Sequence, residues 1–284
     1  MTRPAGSYTP HSHDAIGVFD SGVGGLSVLK ALRAELPAES FVYVADSGHA
    51  PYGERDDKHV LQRSHAIAHY LQEYHHIKAL VVACNTATAA AIAQLRKAHP
   101  ELPIIGIEPA LKPAAAASRT GVVGVMATRG TLNSEKFRSL LAALHGHATF
   151  VLQPCDGLAD AIERDDTIKI EAACSEFTRA MGSFGSNLGN IDSLVLGCTH
   201  YPFALTVLKA QTGNGITFWD AGEPVARQTR KLLAEAGQLR TTSAHQAAAP
   251  ATAVFMTTGS TQTLTAALRR WLHEDTQVKS VALP

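Results

Sequence analysis

Twice in this chain a short apolar run stops abruptly at a cysteine. Lys78-Ala79-Leu80-Val81-Val82-Ala83 leads to Cys84-Asn85-Thr86, and Asp192-Ser193-Leu194-Val195-Leu196-Gly197 leads to Cys198-Thr199-His200-Tyr201-Pro202. A brief apolar run bounded by polar residues reads as a strand buried on both faces, and here each is followed by a helical pattern. In a parallel α/β sheet the residue at such a strand end faces the crevice where ligands bind. The amides and dipole of the next helix favour a thiolate there. A lone strand-end cysteine is more often a small apolar filler. Two in matching surroundings are hard to assign to packing alone, and they constrain the chain to two similar α/β units, each offering a thiol.

The pattern between and around the cysteines fits that constraint. The first unit has strands over 15–20, 41–46, 78–84 and 103–107, with helices over 26–36, 58–74 and 87–97. The second restarts with a strand over 120–128, whose end repeats Asp20 at nearly the interval that separates the cysteines. Thr131 and Ser134 open its first helix. A strand over 149–153 precedes Cys155 and a helix carrying Asp160 and Glu163, and Cys174 falls on the core side of a helix over 168–181. A strand over 215–220, a helix over 223–236 stopped by Gly237, a low-complexity linker over 241–252, and a last strand and helix return to the first unit. The expected fold is therefore α/β, with two doubly wound parallel-sheet lobes and the active site in the cleft between them. Residues 1–108 plus 216–284 make the first lobe, with 1–14 a flexible tail, and 109–215 make the second.

At 284 residues the chain is long enough for two such lobes, and 45% apolar residues supply their cores. Its 25 basic and 25 acidic residues cancel, which gives no electrostatic case for nucleic acid or an anionic membrane as partner. Four cysteines without a CxxC pair argue against a disulfide scaffold and for a reducing, cytoplasmic setting. No signal-peptide pattern or membrane-length apolar segment is present. His65 and His69 share a helix face but have no third ligand in reach, so no metal is expected.

Two loops are candidate ligand sites. Ser21-Gly22-Val23-Gly24-Gly25 follows the first strand but matches neither the dinucleotide nor the phosphate-loop fingerprint. What remains is a glycine turn whose amides suit an anion, an α-carboxylate as well as a phosphate. Pro51-Tyr52-Gly53 either sets a hydroxyl and a flat wall over a pocket or is a turn with a surface tyrosine.

Different reactions would use the thiols differently. A disulfide oxidoreductase usually keeps its cysteines close in sequence. A cysteine hydrolase or amidase needs one nucleophile and a histidine base, so His200 would have to reach Cys84 across the cleft. A proton-transfer isomerase uses both: one removes a proton from one face of a stereocentre and the other returns one to the opposite face. A non-catalytic amino-acid binding module needs neither.

Phe19-Asp20-Ser21-Gly22-Val23-Gly24-Gly25, Pro51-Tyr52-Gly53, Ala83-Cys84-Asn85-Thr86-Ala87 and Gly197-Cys198-Thr199-His200-Tyr201-Pro202 resemble, in order, the motifs of the cofactor-independent glutamate racemases, over about residues 15–237. The resemblance implies a small-molecule substrate, L- or D-glutamate, and no cofactor. No lysine stands where a pyridoxal Schiff base would need one. It implies Cys84 and Cys198 as acid/base catalysts for the D- and L-glutamate faces, with Asp20 and His200 as their helpers and Glu163 near His200. Ser21, Tyr52, Gly53, Asn85, Thr86, Thr128, Thr131 and Thr199 would hold the substrate's ammonium and carboxylates. Asp156-Gly157-Leu158-Ala159 departs from the more apolar residues expected after Cys155. Aspartate and hydantoin racemases share the two-cysteine logic, and the Tyr52 and Thr199-His200 motifs favour glutamate. Peptidoglycan precursor synthesis and a homodimer are further expectations of the resemblance.

Overall fold

The computed structural model describes residues 11–240 and 251–283. Its ten strands are β1 (Ile16–Asp20), β2 (Phe41–Ala45), β3 (Ala79–Val82), β4 (Ile104–Gly106), β5 (Val122–Ala127), β6 (Thr149–Pro154), β7 (Ser193–Leu196), β8 (Thr217–Trp219), β9 (Ala253–Thr257) and β10 (Val278–Ser280). They form two wholly parallel sheets, ordered β10-β9-β2-β1-β3-β4 and β6-β5-β7-β8. The α/β, two-lobe architecture expected from the sequence is the one observed. Moreover, β2-β1-β3-β4 and β6-β5-β7-β8 follow the same spatial order, so the strands that precede Cys84 and Cys198 are equivalent members of the two sheets.

Parallel sheets need helices on both faces, and their strands read as unbroken apolar runs for that reason. Ile16 and Val18 of β1 face a core with Leu26, Leu29 and Leu32, while Phe19 faces the opposite one with Ile67, Leu71 and Ile77. The second sheet is likewise sandwiched between two apolar clusters. Each fully buried side chain of this kind contributes about 1.5–3 kcal/mol relative to exposure, so the central strands are the firmest mounts the fold offers. In each sheet the chain reverses its direction of travel at the first strand, so its neighbours β2 and β3, or β6 and β7, lie on opposite sides. The crevice at that reversal is where ligands bind in such sheets.

Three boundaries differ from the expectation. β8 hydrogen-bonds to β7, so the second sheet includes Thr217–Trp219 rather than ending before 216; the local pattern marks the strand but not the sheet it joins. β10, three residues long, was not expected at all. Of the anticipated tail, residues 1–10 lie outside the described residues, but the Ser12 carbonyl accepts a 2.6 Å hydrogen bond from the buried Lys78 ammonium. Most of the anticipated linker, 241–250, also lies outside the described residues.

Candidate active site

Asp20, Cys84, Thr128 and Cys198 stand at or just after the C-terminal ends of β1, β3, β5 and β7. Cys84 and Cys198 open onto one interlobe cleft, of about 670 Å³ including its mouth, with Ser21, Tyr52, Gly53, Asn85, Thr86, Thr128, Thr199, His200 and Glu163 around them.

The surroundings of the two sulfurs are unlike. Cys84 caps the helix Asn85–Ala98: the Ala87 amide donates to its Sγ at 3.4 Å, and the thiol lies 3.9 Å from the Ser21 hydroxyl. Burial, reinforced by the charge of Asp20, nevertheless pushes this thiol far above its ordinary range, and the Ala87 and Ser21 contacts offset only part of the rise. Burial at this position therefore favours the neutral thiol of Cys84, against the thiolate that a helix terminus favours. Cys198 caps no α-helix; a short 3-10 turn, Tyr201–Ala204, follows it. Its companion is His200, whose Nδ1 lies 3.8 Å from Sγ.

His200 Nε2 sits 2.9 Å from Glu163 Oε2. Burial works against a charged imidazole, but the hydrogen bonds to Cys198 and Glu163 outweigh it and hold His200 well above its ordinary value. Burial likewise works against the Glu163 carboxylate; His200, the Val23 amide at 2.8 Å and the Ser47 hydroxyl at 2.7 Å outweigh it and hold Glu163 low. The pair is thus imidazolium and carboxylate. Asp20 is pushed up to about 6 by burial, tempered by His200, the Gly22 amide and the Thr199 hydroxyl. Thr199, from the other lobe, donates to its Oδ2 at 2.8 Å.

Not every expected site residue reaches the cleft as expected. Tyr52 lines it, but its hydroxyl donates at 2.5 Å to Asp46, which is not among the lining residues. Thr131 does not line it; it accepts from the Thr128 hydroxyl at 3.0 Å and borders a neighbouring small cavity. Gly53 lies so close to Thr128 that an added Cβ would come within 2.8 Å of that residue's Cβ, which makes the glycine a point of contact between lobes. In the glycine turn the Gly22 amide binds Asp20 at 2.8 Å and the Val23 amide binds Glu163. The anions those amides serve are the protein's own.

The sequence reading had left Cys155 without a role, yet it is a third thiol on the cleft wall, beside Asp156 and Asp160. Its signal was present: it directly follows the strand β6, much as Cys84 follows β3 with only Ala83 between. Among the described residues no group of three or more His, Cys, Asp or Glu side chains is arranged to hold a metal ion.

The sequence model of the Asp/Glu/Hydantoin racemase family matches residues 16–229. The chain belongs to this family. Among its racemase relatives, the glutamate racemase of Stutzerimonas stutzeri (strain A1501) is 51% identical over 223 residues, 78% of this chain and 82% of that protein. The fold matches the crystal structure of a glutamate racemase isoform from Bacillus anthracis with a TM-score of 0.81 at 32% identity, over 96% of this chain and 99% of that one. It also matches Escherichia coli glutamate racemase, solved in complex with L-glutamate and the activator UDP-MurNAc-ala, with a TM-score of 0.79 at 27% identity, over 95% and 99% of the chains.

Proposed function

We propose that this chain interconverts L- and D-glutamate by direct 1,1-proton transfer between Cys84 and Cys198, with no cofactor. The observation that carries the reading is that two thiols at equivalent strand ends open onto one cleft, each with its own ionisable companion. The racemase family and the names of the relatives support glutamate as the substrate.

In the D-to-L direction the Cys84 thiolate removes the α-proton and becomes a thiol. The Cys198 thiol protonates the opposite face and becomes a thiolate, and the reverse direction exchanges the roles. Neither direction consumes anything. Because burial favours the Cys84 thiol, the thiolate has to be made when substrate enters, its proton passing to the Asp20 carboxylate, with the substrate ammonium supplying positive charge nearby. The His200 imidazolium attracts negative charge as it arises on Cys198, and Glu163 keeps that imidazolium charged. An α-proton is far less acidic than a thiol of pKa ~8.5, so donors fixed on the α-carboxylate must stabilise the carbanion. Ser21, Asn85, Thr86, Thr128 and Thr199, with the Tyr52-Gly53 wall, form that set. Asn85 Oδ1, buried and unpartnered among the described residues, is an acceptor for the substrate ammonium.

The test is to incubate either enantiomer in deuterium oxide and follow circular dichroism together with α-carbon deuteration. The wild type exchanges solvent deuterium into the product, and Cys84→Ala and Cys198→Ala each abolish racemisation. Full activity in either variant would remove the two-base scheme. The same reading gives the D-glutamate to peptidoglycan precursors in a bacterial cytoplasm, with the enzyme a homodimer. Four free cysteines suit a reducing compartment, and no helix among the described residues is long and apolar enough to cross a membrane.

A further inference from the structure

Asp46 stands just past β2 as Asp20 stands at the end of β1, and it is fully buried. Four donor groups from three residues converge on its carboxylate. Arg63 forks onto both oxygens, Nε to Oδ2 and Nη2 to Oδ1, each at 3.0 Å. The Tyr52 hydroxyl donates to Oδ2 at 2.5 Å and the Thr258 hydroxyl to Oδ1 at 2.8 Å. The Asp46 amide in turn donates to the Asp20 carbonyl at 2.9 Å.

Stability alone is a weak reason to place an ion pair here, because desolvating both charges costs several kcal/mol and apolar replacements often do as well. What the pair supplies is position. Tyr52 and Gly53 line the cleft while the Tyr52 hydroxyl is held by Asp46, which does not, so the carboxylate fixes where Tyr52 and Gly53 stand. The brace extends further: Arg63 Nη1 donates to the Leu283 carbonyl at 3.2 Å. Leu283 follows β10, and its neighbour Val281 donates its amide to the Thr257 carbonyl at 2.9 Å. Val281 and Leu283 also pack against the apolar cluster that contains Tyr52.

We propose that Arg63, acting through Asp46, is a positioning residue for the Tyr52-Gly53 wall, and that the segment after Ser280 belongs to the same support. The kinetic part of the test rests on the racemase reading, while amide exchange tests the brace independently. Tyr52→Phe removes one hydroxyl; Arg63→Lys keeps the charge and loses the fork. Each raises KM for both enantiomers roughly five- to twenty-fold with kcat within about two-fold, the signature of lost uniform binding. Because the enantiomers have equal free energy, kcat/KM falls by the same factor in both directions. Hydrogen exchange over residues 50–54 accelerates roughly ten-fold or more in both variants and in a chain ending at Ser280, while exchange in β5 and β7 stays unchanged. Wild-type exchange over 50–54 in a folded Tyr52→Phe overturns the brace, and wild-type exchange there in the shortened chain overturns the part assigned to the C-terminal segment. A wild type that exchanges as expected but racemises no glutamate overturns the functional reading and leaves the brace standing.

Discussion

Asp20 shows what burial does to a single group. Its carboxyl is pushed up to about 6, from an ordinary 3.8, so between those values the folded chain holds a proton that the unfolded chain has released. The unfolded state binds fewer protons in that window, so stability falls as pH rises through it. Asp20→Asn removes the loss. Urea unfolding of this variant should show a gain over the wild type at pH 7.5 on the order of 2–3 kcal/mol, shrinking toward zero near pH 4, with racemisation reduced. A wild type equally stable at both pH values would count against it. The strand-end register that singled out Asp20 and Cys84 also marks Asp46 and Cys155. The motif reading passed over both because what distinguishes them, four donors on one carboxylate and a place on the cleft wall, is assembled from distant residues.

At the scale of elements, the glycine turn after β1 was legible as a turn but not as a packing surface. Gly24 is required by a neighbour and not by its own dihedrals: a Cβ there would lie 2.3 Å from His200 Nδ1, and one at Gly22 would lie 2.3 Å from Glu163 Oε2. Gly24→Ala should therefore leave the fold intact, push the imidazole off Cys198, and lower kcat by roughly 10²-fold, the usual cost of a misplacement near 1 Å. Steady-state kinetics beside circular dichroism showing the native fold would check this. The two cysteine elements, alike in sequence, also part company in three dimensions. Asn85–Ala98 begins as an α-helix on the Cys84 sulfur, whereas Pro202 and a 3-10 turn give Cys198 a histidine instead. The two apolar runs do not encode that difference; the residues directly after each cysteine do, Asn85-Thr86-Ala87 in one and Thr199-His200-Tyr201-Pro202 in the other.

For the whole molecule, the decisive contacts cross between lobes. Glu163 of the second lobe accepts from Val23 and Ser47 of the first, Thr199 reaches Asp20, and the Thr86 and Thr128 hydroxyls meet at 3.2 Å. Phe203 stacks on Trp271 at a centroid separation of 3.7 Å. Glu163→Gln removes the negative charge on which both His200 and the interlobe bonds rely. It should cost about 3 kcal/mol, in line with breaking a buried pair, and lower the His200 titration seen by NMR toward the ordinary imidazole range. Since Glu163 titrates below its ordinary 4.5, the stability it contributes is present above that pH and lost as pH falls through the folded value. The variant should show a shallower acid limb than the wild type, since Asp192 is also held low. By itself the sequence determined the α/β class, the two parallel sheets and the pair of strand-end thiols, because apolar periodicity and turn chemistry are local and repeat along the chain. Only the tertiary structure decided that the glycine amides serve Asp20 and Glu163, that the Tyr52 hydroxyl belongs to Asp46, and that burial favours the Cys84 thiol. Glu163 lies 140 residues from Val23, and even the nearer partners Asp20 and Asp46 become the amides' and hydroxyl's acceptors only because the fold buries them, which the local pattern does not write.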